Sequence, residues 1–255
     1  MRLIMYASRR ALGFICAALF LSPALHAAEK CSAEVKLLLS PPTIQTVITS
    51  LGFEKETTGQ VYFFDNDELD LLKQGVIVRV RAGETNDLTV KVRVPEGNKQ
   101  VVTIQLREHF PCEINRTGAG EDTDYSVQRE YKVLQVPELG SDIASLLSPP
   151  QKRLLQEAQV LIDWRRVKRI ANVKATKWGT KAKSPFRKLT LELWEWPAGN
   201  VLEISTKVAP EAGPSKYAEL QRLVDMNSLS LSANQGNKTS MVLGETLARH
   251  TSPQR

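Results

Sequence analysis

Four cationic side chains form two pairs with two-residue spacing in the stretch 76–94. Arg79 and Arg81 alternate with aliphatic residues in its first half, and Lys91 and Arg93 do so in its second half. Because successive side chains of a β-strand point to opposite faces, each pair lies on one face of its strand. Guanidinium and ammonium groups gathered on one surface suit phosphate oxygens. The spacing alone is typical of an ordinary hairpin with a solvated basic face. A polyanion site is the alternative if these faces line the inside of a closed barrel.

Residues typical of several common catalytic centres are scarce. Histidine occurs only as His26, His109 and His250, which disfavours a serine or cysteine triad and a zinc site. The sequence also contains no Walker-type phosphate loop and no dinucleotide-binding glycine pattern. Chemistry in this chain therefore has to come from the charged residues that alternate along strands.

The N-terminal segment 1–28 has the pattern of a signal peptide. Basic residues precede an apolar run at 11–21 that is too short to span a bilayer, and small residues follow. We therefore expect a periplasmic or secreted protein without a later transmembrane segment; an uncleaved anchor is the alternative. Loss of Arg2, Arg9 and Arg10 lowers the basic residues from 34 to 31 against 28 acidic ones. This balance gives no reason to expect specific nucleic-acid binding.

Two cysteines, Cys31 and Cys112, lie outside this leader. In an oxidising compartment, a pair of cysteines most simply forms one disulfide. Two separate thiols are the alternative, because residues so far apart in sequence give no evidence of contact.

The elements that would position the charged residues are mostly strands. Alternation predicts strands at 32–39, 57–65, 100–107, 126–133, 159–173, 189–196 and 200–208, besides the two arms of 76–94. Helical spacing of apolar residues predicts helices at 44–51, within 66–75, in two pieces of 137–158, at 215–224 and at 240–247. Many strands with short connections favour an α+β chain, in which an antiparallel sheet curls into a barrel with helices outside.

The order of these charged strands resembles the CYTH superfamily, the triphosphate tunnel metalloenzymes. The resemblance begins with Glu34 and Lys36 as E-x-K, and continues through YFFD at 62–65 to the R-x-R and K-x-R pairs. It also includes Arg129, Glu192, Glu203 and Lys238. It implies an eight-stranded antiparallel β-tunnel with flanking helices. The tunnel domain would span 29–248, with a disordered tail at 249–255.

The resemblance also implies a role for each charged residue. Phosphates of inorganic triphosphate, polyphosphate or a nucleoside triphosphate would be held by Arg79, Arg81, Lys91, Arg93, Arg129 and Lys238. A divalent cation, Mg²⁺ or Mn²⁺, would be held by Glu34, Glu192 and Glu203. In catalysis Glu34 would act through the metal, and Lys36 would act on a phosphate oxygen or on the attacking water.

Two departures from the family pattern affect the implied metal site. Ser32 stands where the family's E-x-E-x-K has its first glutamate, and Ser205 stands where its E-x-E has the second one. A hard divalent cation needs several oxygen ligands, so the loss of two glutamates weakens the inference of metal-dependent hydrolysis without excluding that activity. Two main functions stay open: an exported phosphohydrolase, or an exported protein that binds the polyanion without cleaving it. A structural or partner-binding barrel is a third.

Overall fold

The structure is a computed structural model, and it describes residues 31–40, 44–83, 85–95, 106–132, 142–180 and 188–251. The predicted leader lies outside these residues, as do 137–141 of the predicted helical region, the last residue of the predicted strand at 126–133 and residues 100–105 of the predicted strand at 100–107. Within the described ranges, no helix is both long and apolar enough to cross a membrane.

In the described part of the chain, nine strands close into a barrel. They are β1 (Ser32–Leu39), β2 (Phe53–Asp65), β3 (Val76–Ala82), β4 (Asp87–Pro95), β5 (Cys112–Thr117), β6 (Gly120–Glu130), β7 (Lys168–Thr180), β8 (Leu189–Trp196) and β9 (Gly199–Val208). Their order around the barrel is β1-β5-β6-β4-β3-β2-β7-β8-β9, and β9 pairs with β1 to close it. The β1 and β5 strands run parallel, and the other neighbours are antiparallel.

The described sheet is therefore mixed and has nine strands, where the family resemblance implied eight antiparallel ones. The additional strand is β5, which forms a hairpin with β6 and then pairs in parallel with β1. Cys112 and Ile114 are its only hydrophobic residues, so its sequence gives a weak strand signal. The sequence also misplaced β7. Its start moves to Lys168 because Asp163 accepts a hydrogen bond from the Arg165 backbone and turns the chain into a 3-10 helix.

The helices lie between strands and at the C-terminal end. They are α1 (Ile44–Leu51), α2 (Asp70–Lys73), α3 (Ile143–Leu146), α4 (Pro149–Glu157), α5 (Gly213–Met226) and α6 (Lys238–Thr251). Residues 106–109 are also helical, so the strand predicted at 100–107 is wrong where the structure describes it. The α6 helix extends into the predicted tail at 249–255, of which 252–255 lie outside the described residues.

The apolar faces of the barrel strands point outward, where helices cover them. Val80 and Val90 of the β3–β4 hairpin share one cluster with Leu154 of α4. Ile204 of β9 shares a second cluster with Leu220 of α5. Since the two faces of a strand alternate, the charged residues between these apolar positions point into the barrel.

A third apolar cluster lies inside the barrel and involves α6. Val242 and Leu243 of this helix are buried with Val61, Ile77 and Trp194. Val61, Ile77 and Trp194 also line the interior cavity. The helix therefore packs into the barrel interior and brings its N-terminal residues beside the cavity.

One disulfide fixes the beginning of the barrel. Cys31 and Cys112 form a disulfide, as the sequence predicts, and their Cα atoms lie 4.7 Å apart. Both residues are buried. The bond joins the segment before β1 to the first residue of β5, the strand that pairs with β1 in parallel.

Candidate anion-binding tunnel

The barrel encloses a cavity of about 580 Å³ whose lining is strongly charged. Residues of all nine strands line it, together with the start of α6. The charged lining residues are Glu34, Lys36, Arg79, Arg81, Lys91, Arg93, Glu113, Lys177, Glu192, Glu203, Lys207 and Lys238. We call Arg79, Arg81, Lys91 and Arg93 the cation quartet.

The cation quartet faces the tunnel because of the register between β3 and β4. Arg79 lies opposite Thr89, and Lys91 lies opposite Ile77, which also lines the cavity. The alternating valines take the outer face and pack against the helices. The side chains of Lys91 and Arg93 are only 14% and 16% exposed. A hairpin with a solvated basic face, which the spacing alone favours, does not describe this arrangement.

Two members of the quartet contact the same buried carboxylate. Asp124 of β6 lies 2.7 Å from Lys91 Nζ and 2.8 Å from Arg93 Nε. Burial alone would raise the pKa of the Asp124 carboxyl, but the charges and hydrogen bonds of these two cations lower it far below its usual range. Burial lowers the pKa of Lys91. The carboxylate therefore holds both cations charged and in fixed positions.

Arg79 differs from the other members of the quartet. Within the described residues it forms no ion pair, and its buried Nε has no hydrogen-bond partner. Burial, together with repulsion from Arg81, lowers the pKa of Arg79 to about 10. Arg81 lies nearer the solvent, with Nη1 4.0 Å from Asp87 Oδ2. Among the described residues, no carboxylate directly contacts this half-buried guanidinium in the tunnel.

On β1, Glu34 and Lys36 form an ion pair of 2.8 Å. Ser205 of β9 donates a hydrogen bond of 3.2 Å to Glu34. Although burial raises the pKa of Glu34, the charge of Lys36 lowers it to about 2. Lys36 also donates a hydrogen bond of 2.6 Å to Asn115, which in turn donates to Asp124. This hydrogen-bonded chain connects the acidic side of the tunnel to the cation quartet.

The remaining acidic pair lies on β8 and β9. Glu192 is directly opposite Glu203. Lys238, the first residue of α6, donates a hydrogen bond to Glu192 Oε2 and places its Nζ 2.9 Å from Glu203 Oε1. The ammonium group also lies 4.5 Å from the ring centroid of Trp194. Although burial raises the pKa of Glu192, the charge of Lys238 lowers it to about 2.

This arrangement does not fit a divalent cation. Each of the three carboxylates predicted as metal ligands already contacts an ammonium group, Glu34 that of Lys36 and the other two that of Lys238. Within the described ranges, no group of three or more histidine, cysteine, aspartate or glutamate residues is arranged to hold a metal ion. Because Mg²⁺ needs near-octahedral oxygen coordination, the side-chain geometry gives the predicted metal role no support.

Arg129, predicted as a phosphate ligand, is not among the tunnel residues. Its neighbour Gln128 lines the cavity, so Arg129 points to the outer face of β6. There its guanidinium donates to the Leu146 carbonyl at 3.4 Å and lies 4.8 Å from the ring centroid of Tyr131. The other predicted phosphate ligands line the cavity, although Lys238 is engaged by two glutamates.

Several tunnel residues were missed by the sequence analysis. Lys177 and Lys207 line the cavity from β7 and β9. Asn115 and Asp124 connect the charged groups of the tunnel and are almost completely buried. A sequence signal existed for Asp124, because an acidic residue in an alternating strand is a natural partner for the cations of a neighbouring strand. That signal becomes usable only once β6 is known to pair with β4.

Comparisons with known proteins agree with this architecture. The sequence profile of a family described as the CYTH domain matches residues 32–234. A solved structure of a proposed adenylyl cyclase from Hippeastrum, for which a dominant triphosphatase activity is stated, is 17% identical. It superposes with a TM-score of 0.61 over 83% of this chain and 95% of that chain. A proposed adenylate cyclase from Bacillus halodurans is 18% identical, with a TM-score of 0.56 over 83% and 97%. At these identities the likeness shows a shared fold. No curated protein matches this chain significantly.

Proposed function

Since the chain belongs to the CYTH domain family, we propose that its tunnel binds inorganic triphosphate or another short polyphosphate through the cation quartet. The observation that carries this proposal is Arg79, a half-buried cation that has no carboxylate partner in the described structure and whose buried Nε atom has no hydrogen-bond partner there. An unpaired charge removed from water is strongly destabilising. A phosphate oxygen in the tunnel would neutralise it and accept the hydrogen bond of its Nε atom.

The layout of the quartet favours a chain of phosphates over a single phosphate. Residues two apart on a strand are separated by roughly 7 Å. The quartet occupies two such positions on each of two neighbouring strands. It therefore presents donors over an area larger than one phosphate group, inside a cavity of about 580 Å³. An anion with several linked phosphates would contact more of these donors at once.

The tunnel is also prepared for an anion before it binds. Asp124 holds Lys91 and Arg93, and Asn115 connects this carboxylate to Lys36. Side chains held in this way lose little conformational freedom when a ligand arrives, which strengthens binding.

The geometry favours capture of the polyphosphate over its cleavage. Hydrolysis with a divalent cation would need carboxylates free to bind that cation, whereas the three candidates are engaged by lysines. The catalytic roles predicted for Glu34 and Lys36 stay predictions. We propose a polyphosphate-binding protein that acts in the periplasm or outside the cell, where the leader pattern at 1–28 would direct it.

The proposal is tested by calorimetric titration with inorganic triphosphate. We expect one anion to bind per protein and Arg81→Ala to weaken binding at least tenfold, since one charge-assisted hydrogen bond contributes about 1.5 to 3 kcal/mol. Arg129→Ala is the matched control. It removes the same type of side chain from the outer face, so its affinity should stay within about twofold of that of the unmodified protein.

Two results would contradict the proposal. No binding to the unmodified protein would exclude the function, and equal loss in both variants would exclude the tunnel as its site. Phosphate release measured in the same samples, with and without Mg²⁺ or Mn²⁺, separates capture from hydrolysis.

A further inference from the structure

Two glutamates occupy directly paired positions on the neighbouring strands β8 and β9. Glu192 and Glu203 occupy directly opposed positions, and their side chains are 22% and 8% exposed. Like charges at such positions repel each other, and the repulsion is strong where water is largely excluded. A cation between the two carboxylates is therefore required for both to stay ionised.

The chain itself supplies this cation. The Lys238 ammonium contacts one oxygen of each glutamate, and the face of Trp194 lies on another side of it. The lysine side chain is only 10% exposed. It therefore sits between the two carboxylates and partly neutralises their charge.

The backbone of Lys238 holds this group in place. Asn237, the preceding residue, accepts a hydrogen bond of 2.9 Å from the Thr239 backbone and caps the start of α6. One turn later, Val242 and Leu243 are buried inside the barrel. The lysine thus extends from a fixed helix start, unlike a side chain on a mobile loop.

We propose that the Lys238 ammonium takes the place of a divalent cation between Glu192 and Glu203, so that the tunnel accepts its polyphosphate as the free anion. The preference for a free anion rests on the proposed function, whereas the exclusion of metal does not.

Competition between the two cations favours the lysine. A metal ion would have to displace an ammonium that is covalently part of the protein and therefore present at a high effective concentration. Displacement would break both contacts of Lys238 and leave its charge buried and unpaired. The ion would gain only two carboxylates there, and Ser205 supplies no third one.

The test is a titration of the full chain with Mn²⁺ alone, in which electron paramagnetic resonance measures the concentration of the free ion. We expect no Mn²⁺ site tighter than about 1 mM in the unmodified protein, a level that corresponds to about 4 kcal/mol of binding free energy. Lys238→Met should create one site at least tenfold tighter. Lys174→Met is the control, because it breaks an exposed lysine–glutamate pair with Glu195 elsewhere on β7 and β8. It should create no site.

A stoichiometric Mn²⁺ site in the unmodified protein would overturn the inference, and this result does not depend on the folding of any variant. Failure of a folded Lys238→Met protein to gain a site would also overturn it, with folding checked by circular dichroism. Triphosphate affinity of the unmodified protein is then measured in EDTA and in Mg²⁺. Tighter binding in Mg²⁺ would contradict the free-anion preference. An absence of triphosphate binding in both would reject the proposed function while leaving the Mn²⁺ result valid.

Discussion

Replacement of Arg79 by methionine should stabilise the protein while removing its function. Burial and the neighbouring Arg81 lower the pKa of Arg79 to about 10, well below the usual value of a guanidinium. A shift of this size corresponds to an unfavourable interaction of the charged form on the order of 3 kcal/mol. Because the folded-state pKa is the lower one, the penalty is fully present at every pH below about 10 and is lost only as the pH rises above it.

Methionine keeps much of the apolar stem of arginine and removes the charge, so it should relieve most of this penalty. Loss of packing around the longer side chain offsets part of the gain. We therefore expect the free energy of unfolding to increase by about 1 to 2 kcal/mol without an anion. For a chain of this size, the melting temperature should rise by roughly 2 to 8 °C.

The assay is urea denaturation of both proteins, first without phosphate and then with inorganic triphosphate. The unmodified protein should gain about 2.7 kcal/mol at a ligand concentration one hundred times the Kd. The Arg79→Met protein should gain much less. Arg165→Met is the control, because that side chain is 90% exposed and lies outside the tunnel lining.

The opposite order of stabilities would refute this reasoning. If Arg79→Met unfolded at a lower urea concentration than the unmodified protein without any anion, Arg79 would stabilise the fold through its own contacts. Its unpaired state would then be no argument for a missing ligand.

Two further predictions concern stability. Replacing both Cys31 and Cys112 by serine opens a disulfide with a sequence separation of 81 residues, so the free energy of unfolding in guanidinium chloride should fall by about 2 to 5 kcal/mol; an unchanged midpoint would show that the bond is not formed. The Lys238 ammonium lowers the pKa of Glu192 to about 2 in the folded protein, against about 4.5 in the unfolded chain, so the contribution of Glu192 to stability is present above about pH 4.5 and is lost as the pH falls towards 2. Glu192→Gln should therefore make the fall in urea midpoint between pH 5 and pH 3 shallower than in the unmodified protein, and parallel curves would contradict the assignment.

The strands that alternate strongly were predictable from sequence alone. The β1 and β8 strands have the bounds that alternation predicts, and the two arms of 76–94 form the expected hairpin. In these strands every second residue is aliphatic and packs under a helix, so local pattern and tertiary burial agree. The β5 strand lacks this pattern, because its residues are mostly polar and it is fixed by pairing with β1 and β6.

The candidate site was predictable as a set of cations but not as a set of contacts. The two-residue spacing predicted that the two cations of each strand share one face. In the structure, the pairing of β3 with β4 places both of these faces inside the barrel. Pairings such as those of Asp124 with Lys91 or Lys238 with Glu192 join residues far apart in sequence. They depend on strand order and on where α6 inserts, which one sequence does not specify. The family resemblance implied that Arg129 binds phosphate. In the structure the alternation of β6 instead directs its side chain to the outer face of the barrel.

The most direct test of the proposed tunnel is a crystal structure of the protein grown with inorganic triphosphate in EDTA. We expect phosphate density in the barrel, with an oxygen within about 3 Å of Arg79 Nε and with Lys238 still between Glu192 and Glu203. Triphosphate bound on the outer surface beside Arg129, with Arg79 still unpaired in an empty tunnel, would contradict it.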